Sequence, residues 1–274
     1  MRGSGHSFFV AATFTATEFA VYAIGTIRPP LVSHVNEAIG DVMLIQTTQS
    51  YEKGDLVEMR RVWFRALHNL ALVLIPIFVV LEVYAYDLIV TVFGIDYAAS
   101  VPVFRVYLLT FPAYVPLLAS PMLKATGDIR THFVADAASF AGTLGTLLVV
   151  GRYFGLLGAA LSSALGYVAF AVIALPVVAR TMGVRPTTIL ALGSKAQIAF
   201  WSFAASAVPW ILMSGATAPV RLLVGLPLSA GLLAAAAWRF GLIEEGEREL
   251  VRDLLSRFLP ARLLDAFSRS RADD

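Results

Sequence analysis

Apolar residues run through this chain in long stretches separated by short clusters of glycine, proline and charge. The stretches fall at about 20 to 50, 60 to 93, 100 to 126, 128 to 152, 156 to 182, 187 to 213 and 217 to 243, and each is long enough to read as a helix. A helix of roughly 20 residues crosses the roughly 30 Å hydrocarbon layer of a bilayer. The pattern therefore predicts an all-α, polytopic membrane bundle of about seven transmembrane helices. Residues 8 to 18 open with Phe8, Phe9 and Val10 and read as the remnant of an eighth helix, too short to span alone. Glu18 interrupts them before any signal-peptidase site, so no cleavable signal is read.

Two of the stretches carry polar positions at helical spacing. In the first, Pro30, His34, Glu37, Asp41 and Thr48 fall near one face and Leu31, Val35, Val42 and Ile45 on another, giving a helix with one wet side. Ionised groups facing lipid at the bilayer centre cost at least about 2.5 to 3.5 kcal/mol, so this face is expected to meet a cavity or other polar groups. Arg28 and the Pro29-Pro30 pair predict a kink just before it. The fourth stretch repeats the pattern with His132, Asp136, Ser139, Thr143 and Thr146, and the two helices are expected to offer polar faces to a shared interior; small hydroxyl residues also serve helix packing. Glu82 and Asp87 lie toward one end of the second helix, where interfacial water is expected to solvate them. Pro102, Pro112, Pro116 and Pro121 predict a bent or hinged third helix. Gly158, Ser162 and Gly166 form a small-residue ridge in the fifth.

Composition agrees with lipid as the solvent: 58% of the 274 residues are hydrophobic and 15% charged, against about 25% charged in soluble domains. A net charge of +2 gives no case for a nucleic-acid partner. Its distribution is informative. Alternate connections and the tail hold Lys53, Arg60, Arg61, Arg65, Lys124, Arg130, Arg180, Arg185, Lys195 and seven arginines from Arg239 to Arg271, sixteen basic residues in all. The other ends hold Arg2, Arg105, Arg152 and Arg221. The positive-inside rule then places the 51 to 61 loop and the C-terminus in the cytoplasm. With seven spans the region near Phe19 lies outside, a start that suits a chain preceded by another lobe.

The organisation read from this is a short N-terminal segment at 1–19, a helical lobe at 20–243 and a cytoplasmic tail at 244–274. In the tail, Leu250, Val251, Leu254, Leu255, Phe258 and Leu259 recur at helical spacing with arginines between them, as in an interfacial amphipathic helix. Glu244, Glu245, Glu247 and Glu249 suit its positive N-terminal end, and Pro260 breaks it. Motifs for other chemistry are not found: no GxxxxGK[ST], HExxH or GxSxG occurs, no cysteine is present, and His6, His34, His68 and His132 lack metal-site spacing. No catalytic residue, metal or cofactor is assigned, and the chain is read as not an enzyme.

Four stretches in order, EFAVYAIGTIRPP at 18–30, FGIDYAASVPVFR at 93–105, KATGD at 124–128 and GLLGAA at 155–160, make the chain resemble the C-terminal half of bacterial polysaccharide (O-antigen or exopolysaccharide) flippases of the multidrug/oligosaccharidyl-lipid/polysaccharide exporter superfamily. The resemblance implies one lobe of a MATE-like two-lobed transporter in the inner membrane. It implies export of an undecaprenyl-diphosphate-linked oligosaccharide for lipopolysaccharide or exopolysaccharide synthesis, with membrane lipid and a second lobe or homodimer as partners. It further implies that Arg28, Arg65, Arg105 and Lys124 meet the diphosphate, that His34 lines the cavity, and that Glu37 or Asp136 binds a coupling proton or cation. The family's first helix in this lobe often ends in a proline-serine turn, where this chain has Ile45-Gln46-Thr47-Thr48. Alternatives are a multidrug or cation exporter of the same superfamily, a non-transporting fragment or assembly subunit, and a membrane-embedded polyprenyl-dependent transferase.

Overall fold

A computed structural model describes residues 10–241, and the expected amphipathic tail lies outside the described residues. Among the described residues all regular structure is helical. The helices are α1 (Ala16–Gly25), α2 (Pro30–Glu52), α3 (Leu56–Val83), α4 (Ala85–Phe93), α5 (Ser100–Leu108), α6 (Thr110–Tyr114), α7 (Ala119–Ala125), α8 (Ile129–Met182), α9 (Leu192–Leu212) and α10 (Ala218–Arg239). Leu56–Val83, Ser100–Ala125, Ile129–Met182 and Ala218–Arg239 are long and apolar enough to cross a membrane. The protein is a multi-pass membrane bundle.

The 54 residues of α8 would extend about 80 Å if straight, far more than a bilayer. Gly155 turns the chain back with φ 58° and ψ −134°, a conformation that a residue without Cβ adopts readily. A Cβ on Gly158 would lie 2.2 Å from the Val150 carbonyl oxygen, and one on Gly166 would meet Ser139 and Thr143. These pairings converge on Gly155, so residues 129–154 and 156–182 are two antiparallel arms, the fourth and fifth expected helices. The Gly158, Ser162 and Gly166 ridge packs at their interface, where small residues let backbones approach.

Other expected boundaries shift for local reasons. The first helix is not kinked but broken: α1 ends at Gly25 and α2 starts at Pro30, because two consecutive prolines supply no donors and disfavour helical geometry before them. The remnant expected at 8 to 18 is also divided. Residues 10–13 form a helical turn, and Thr15 caps α1 through a capping box with Glu18. Asp55 and Asp128 cap α3 and α8 by accepting from the backbone N–H of Glu58 and Thr131. The third span is divided into α5, α6, a 3-10 turn at Val115–Leu118, and α7, as its four prolines predict. The sixth helix begins at Leu192, not near 187.

The core forms around α3, whose Met59, Trp63, Leu67, Leu70 and Leu74 pack against Phe104, Leu108, Phe111 and Phe170. Trp63 Nε1 donates to the Ile189 carbonyl at 2.9 Å, and Arg60 Nε donates to the Met182 carbonyl at 2.6 Å. These two bonds fasten the 183–191 connection to the start of α3. α9 and α10 pack on each other and chiefly on α3 and α4, at the side of the bundle.

Candidate functional site

Arg28 lies in the break between α1 and α2, not on the wet face of a helix. Gly25 lets α1 approach α5 so closely that a Cβ there would sit 2.6 Å from Val103. That approach carries Arg28 into a group of tyrosines. Its Nη2 donates to the Tyr107 hydroxyl, and its Cζ lies 5.5 Å from the Tyr107 ring centroid and 5.7 Å from that of Tyr114. Tyr114 in turn packs on Tyr167 of the second α8 arm, with centroids 5.2 Å apart.

No carboxylate among the described residues lies within ion-pair distance of Arg28, and its Nε is buried without a hydrogen-bond partner there. An ion removed from water costs several kcal/mol unless it is paired. Two cation–π contacts return about 1 to 4 kcal/mol together. Arg28 therefore presents an incompletely satisfied, planar cation with donors suited to an oxyanion. Sequence reasoning singled out Arg28 but missed Tyr107, Tyr114 and Tyr167, which no local motif connects to it.

The remaining sequence-predicted residues do not converge on Arg28. His34 and Glu37 are exposed on α2, 76% and 70% by side chain, with His34 Nδ1 4.0 Å from Glu37 Oε2. Asp41 is exposed on the same helix. Arg65 and Lys124 are exposed on α3 and α7. Arg105 is exposed, with Nε 3.8 Å from Glu82 Oε2. Asp136 lies one turn from His132 at 3.7 Å, and His132 Nε2 is 2.7 Å from Ser120 Oγ of α7.

The two expected wet faces are not brought together. α7 packs between α2 and α8, so the stripe on α2 stays open while that of the first α8 arm turns into the bundle. Ser139 is buried, and the Thr143 and Thr146 hydroxyls donate to the Ser139 and Gly142 carbonyls one turn back. Those hydroxyls serve the packing of the two arms.

Asp87 is the clearest departure from expectation. Instead of meeting interfacial water it is buried, and Arg221 of α10 donates to Oδ1 from Nη2 at 2.6 Å and Nε at 3.0 Å. Trp210 Nε1 of α9 donates to Oδ2 at 3.0 Å, and Arg221 Nη1 donates to the Ala216 carbonyl at 2.7 Å. The cluster ties the α9–α10 connection to α4. Beside it, the Tyr84 and Ser229 hydroxyls are 3.1 Å apart.

Residues 2–102 match the family described as "Polysaccharide biosynthesis protein". The fold matches a solved structure of the lipid II flippase MurJ in an inward closed conformation, with a TM-score of 0.60 and 15% sequence identity. The expected resemblance is met by the family match over residues 2–102 and, in fold, by the flippase structure. The alignment covers 91% of this chain and 47% of the MurJ chain, so the protein spans about half the length of the flippase it matches. No curated protein sequence matches it. At this identity the structural match shows the shared architecture, in which α1 to α10 supply a lobe-sized helical body.

Proposed function

We propose that this chain acts as one lobe of a flippase that exports a lipid-linked oligosaccharide across the bacterial inner membrane. Arg28 is the observation that carries the reading: it is a partly buried guanidinium with aromatic walls and no carboxylate partner among the described residues. A diphosphate supplies both the missing charge and acceptors for the guanidinium edge. The sugar need not be recognised by this lobe for the anchor to work, and an undecaprenyl carrier fits the family match.

In this reading the open face of α2, with His34, Glu37 and Asp41, borders the transport cavity and is completed by a second lobe or a second copy of the chain. The lobe comprises residues 20–243, preceded by a short segment at 1–19 and followed by a cytoplasmic tail at 244–274. Basic residues gather at the end marked by Lys53, Lys124 and Arg185, which supports a cytoplasmic placement of that end and of the C-terminus. Arg65 and Lys124 then attract the incoming diphosphate at the cytoplasmic surface, and Arg105 does so at the outer side.

A direct test reconstitutes the full chain in nanodiscs and measures binding of farnesyl diphosphate, a short polyprenyl diphosphate. Binding is expected to saturate in wild type and to weaken at least about tenfold in Arg28→Gln, the size of a charge-assisted hydrogen bond. Equal affinity in the variant would defeat the reading.

A further inference from the structure

One stripe of α9 faces inward: Lys195, Ile198, Ser202 and Ser206 are buried and recur every three or four residues. Ile198 clusters with Ala71 of α3 and Ala237 of α10, so the stripe lines a seam between three helices. The two serines donate one turn back, to the Ile198 and Ser202 carbonyls. Lys195 brings a charge to the same stripe with only 9% of its surface exposed. Its Nζ donates to the Ala191 carbonyl at 3.1 Å, the ammonium's one hydrogen bond among the described residues. No carboxylate among them lies within ion-pair distance of it.

That ammonium is poorly placed without an anion. It lies in the first turn of α9, where the helix dipole is positive and disfavours a cation. A four-carbon stem could carry it from there to water, yet it stays under the seam with two N–H donors unused. Ala191, whose carbonyl takes the third, holds φ 44°, a left-handed conformation that strains a residue with a Cβ.

The chain itself returns to this point. α9 and α10 pack on each other and are joined by residues 213–217, so α10 ends where α9 begins. Lys195 lies about 4.5 Å along α9 from Ile198, and Gly241 about 6 Å beyond Ala237, at 1.5 Å per residue. The Phe240 ring stacks on Trp201 with centroids 3.9 Å apart, which holds this end of α10 against α9. Gly241 then takes φ 68°, the left-handed cap that ends a helix and redirects the chain. The first acidic residues after it are Glu244 and Glu245. They lie outside the described residues, yet even a fully extended chain keeps them within about 10 to 14 Å of Gly241.

We infer that the mouth of the α3–α9–α10 seam is the docking surface for this chain's own tail, with the Glu244–Glu245 pair supplying the carboxylate partner of Lys195. Charge, reach and the direction of the chain favour this occupant. A carboxylate takes the two unused donors in a charge-assisted contact and opposes the positive end of α9. Tethered to α10 by a few residues, it arrives at high effective concentration. The tail is thereby strapped at its beginning to the bundle, and its apolar positions from Leu250 onward are left for the bilayer surface. Nothing in this assignment depends on Arg28.

The test uses the full chain in nanodiscs of phosphatidylethanolamine and phosphatidylglycerol. A carbodiimide, which joins a paired amine and carboxylate directly, is expected to link Lys195 to Glu244 or Glu245, read by mass spectrometry of the digest. Limited trypsin cleavage after Arg248 reports whether the tail is held. Lys195→Met and the double variant Glu244→Gln/Glu245→Gln are each expected to speed that cleavage roughly tenfold, the size of one charge-assisted contact. Their combination should add nothing further. The glutamine pair lies beyond α10, so its effect is separate from any failure of Lys195→Met to fold. A Lys195 that cross-links only elsewhere or not at all, or a glutamine double variant cut at the wild-type rate, would overturn the assignment. So would protection that is lost when phosphatidylglycerol is replaced by phosphatidylcholine and is indifferent to the glutamines, which makes a lipid phosphate the occupant.

Discussion

Arg28 and Arg221 are two guanidiniums of one bundle in opposite states of satisfaction. Arg221 spends its donors on protein: two bonds to Asp87 and others to the Ser214 and Ala216 carbonyls. Arg28 has one phenol oxygen and two aromatic faces, and a buried Nε without a partner among the described residues. A saturated cation can hold helices together but has little left for a ligand. An undersatisfied one contributes less to the fold and keeps its donors for an anion. Function is thus better judged from the remaining hydrogen-bonding capacity of a charged group than from its presence in an apolar helix.

The comparison is most severely tested by Asp87→Ala. It leaves the part-buried Arg221 with its carbonyl and Trp210 contacts but no carboxylate, a loss of up to the about 3 to 5 kcal/mol that removing one partner of a fully buried pair costs. Thermal unfolding in detergent should show a large loss, with partial recovery when Arg221→Met is added because the unpaired charge is gone. A wild-type melt for Asp87→Ala would mean that water reaches the cluster and that the sequence-based expectation of a solvated Asp87 was right after all. Arg28→Gln is expected to show the reverse profile: lipid-diphosphate affinity falls by about 1.5 to 3 kcal/mol, the range for a hydrogen bond to a charged group. Its melting temperature should change little. If instead it unfolds as readily as Asp87→Ala, Arg28 is a structural cation like Arg221.

A finer comparison comes from Trp210→Phe. It deletes one donor to Asp87 and retains most of the ring, including its place 6.0 Å from Arg221 Cζ. Arg221 still neutralises the carboxylate, so the expected cost is about 1 kcal/mol, visible as a small shift in the same melting assay. A cost as large as that of Asp87→Ala would assign the stabilisation to the indole and not to the ion pair.

These two clusters also mark how far the sequence could be read. Spans were legible because hydrophobic runs and their punctuation act locally: Gly155 separates the arms of α8 where the pattern places a gap, and the proline density of the third span becomes α5, α6, a 3-10 turn and α7. The Pro29-Pro30 pair signalled irregularity but not its degree. Charge partners were much less legible. Asp87 and Arg221 are 134 positions apart, and Arg28 and Tyr107 are 79 apart, so neither pairing leaves a periodic trace. The hydroxyl stripe on the first α8 arm was visible, yet helical phase alone could not distinguish an open cavity from the Gly166 face against which Thr143 packs. The same limit applied to His34 and Glu37, whose exposed face was legible as polar while its neighbours were not.

Tyr107→Phe makes the smallest and most selective change. The Tyr107 oxygen accepts from Arg28 Nη2, which sets its hydroxyl, a donor as well as an acceptor, beside any anion held at the guanidinium. Deletion of the hydroxyl removes that donor and also releases Arg28 Nη2 from its protein partner. The first effect weakens ligand binding, and the second slightly favours it by leaving the guanidinium more in need of an acceptor. A neutral donor is worth about 0.5 to 1.5 kcal/mol, so a net weakening of roughly three- to fivefold is expected for farnesyl diphosphate, with the melt unchanged. Tighter binding would show that Tyr107 competes with the ligand for Arg28 and does not join it in the site. Because the ring remains in both cases, the cation–π contact at 5.5 Å is conserved, and the experiment isolates the hydroxyl from the aromatic wall.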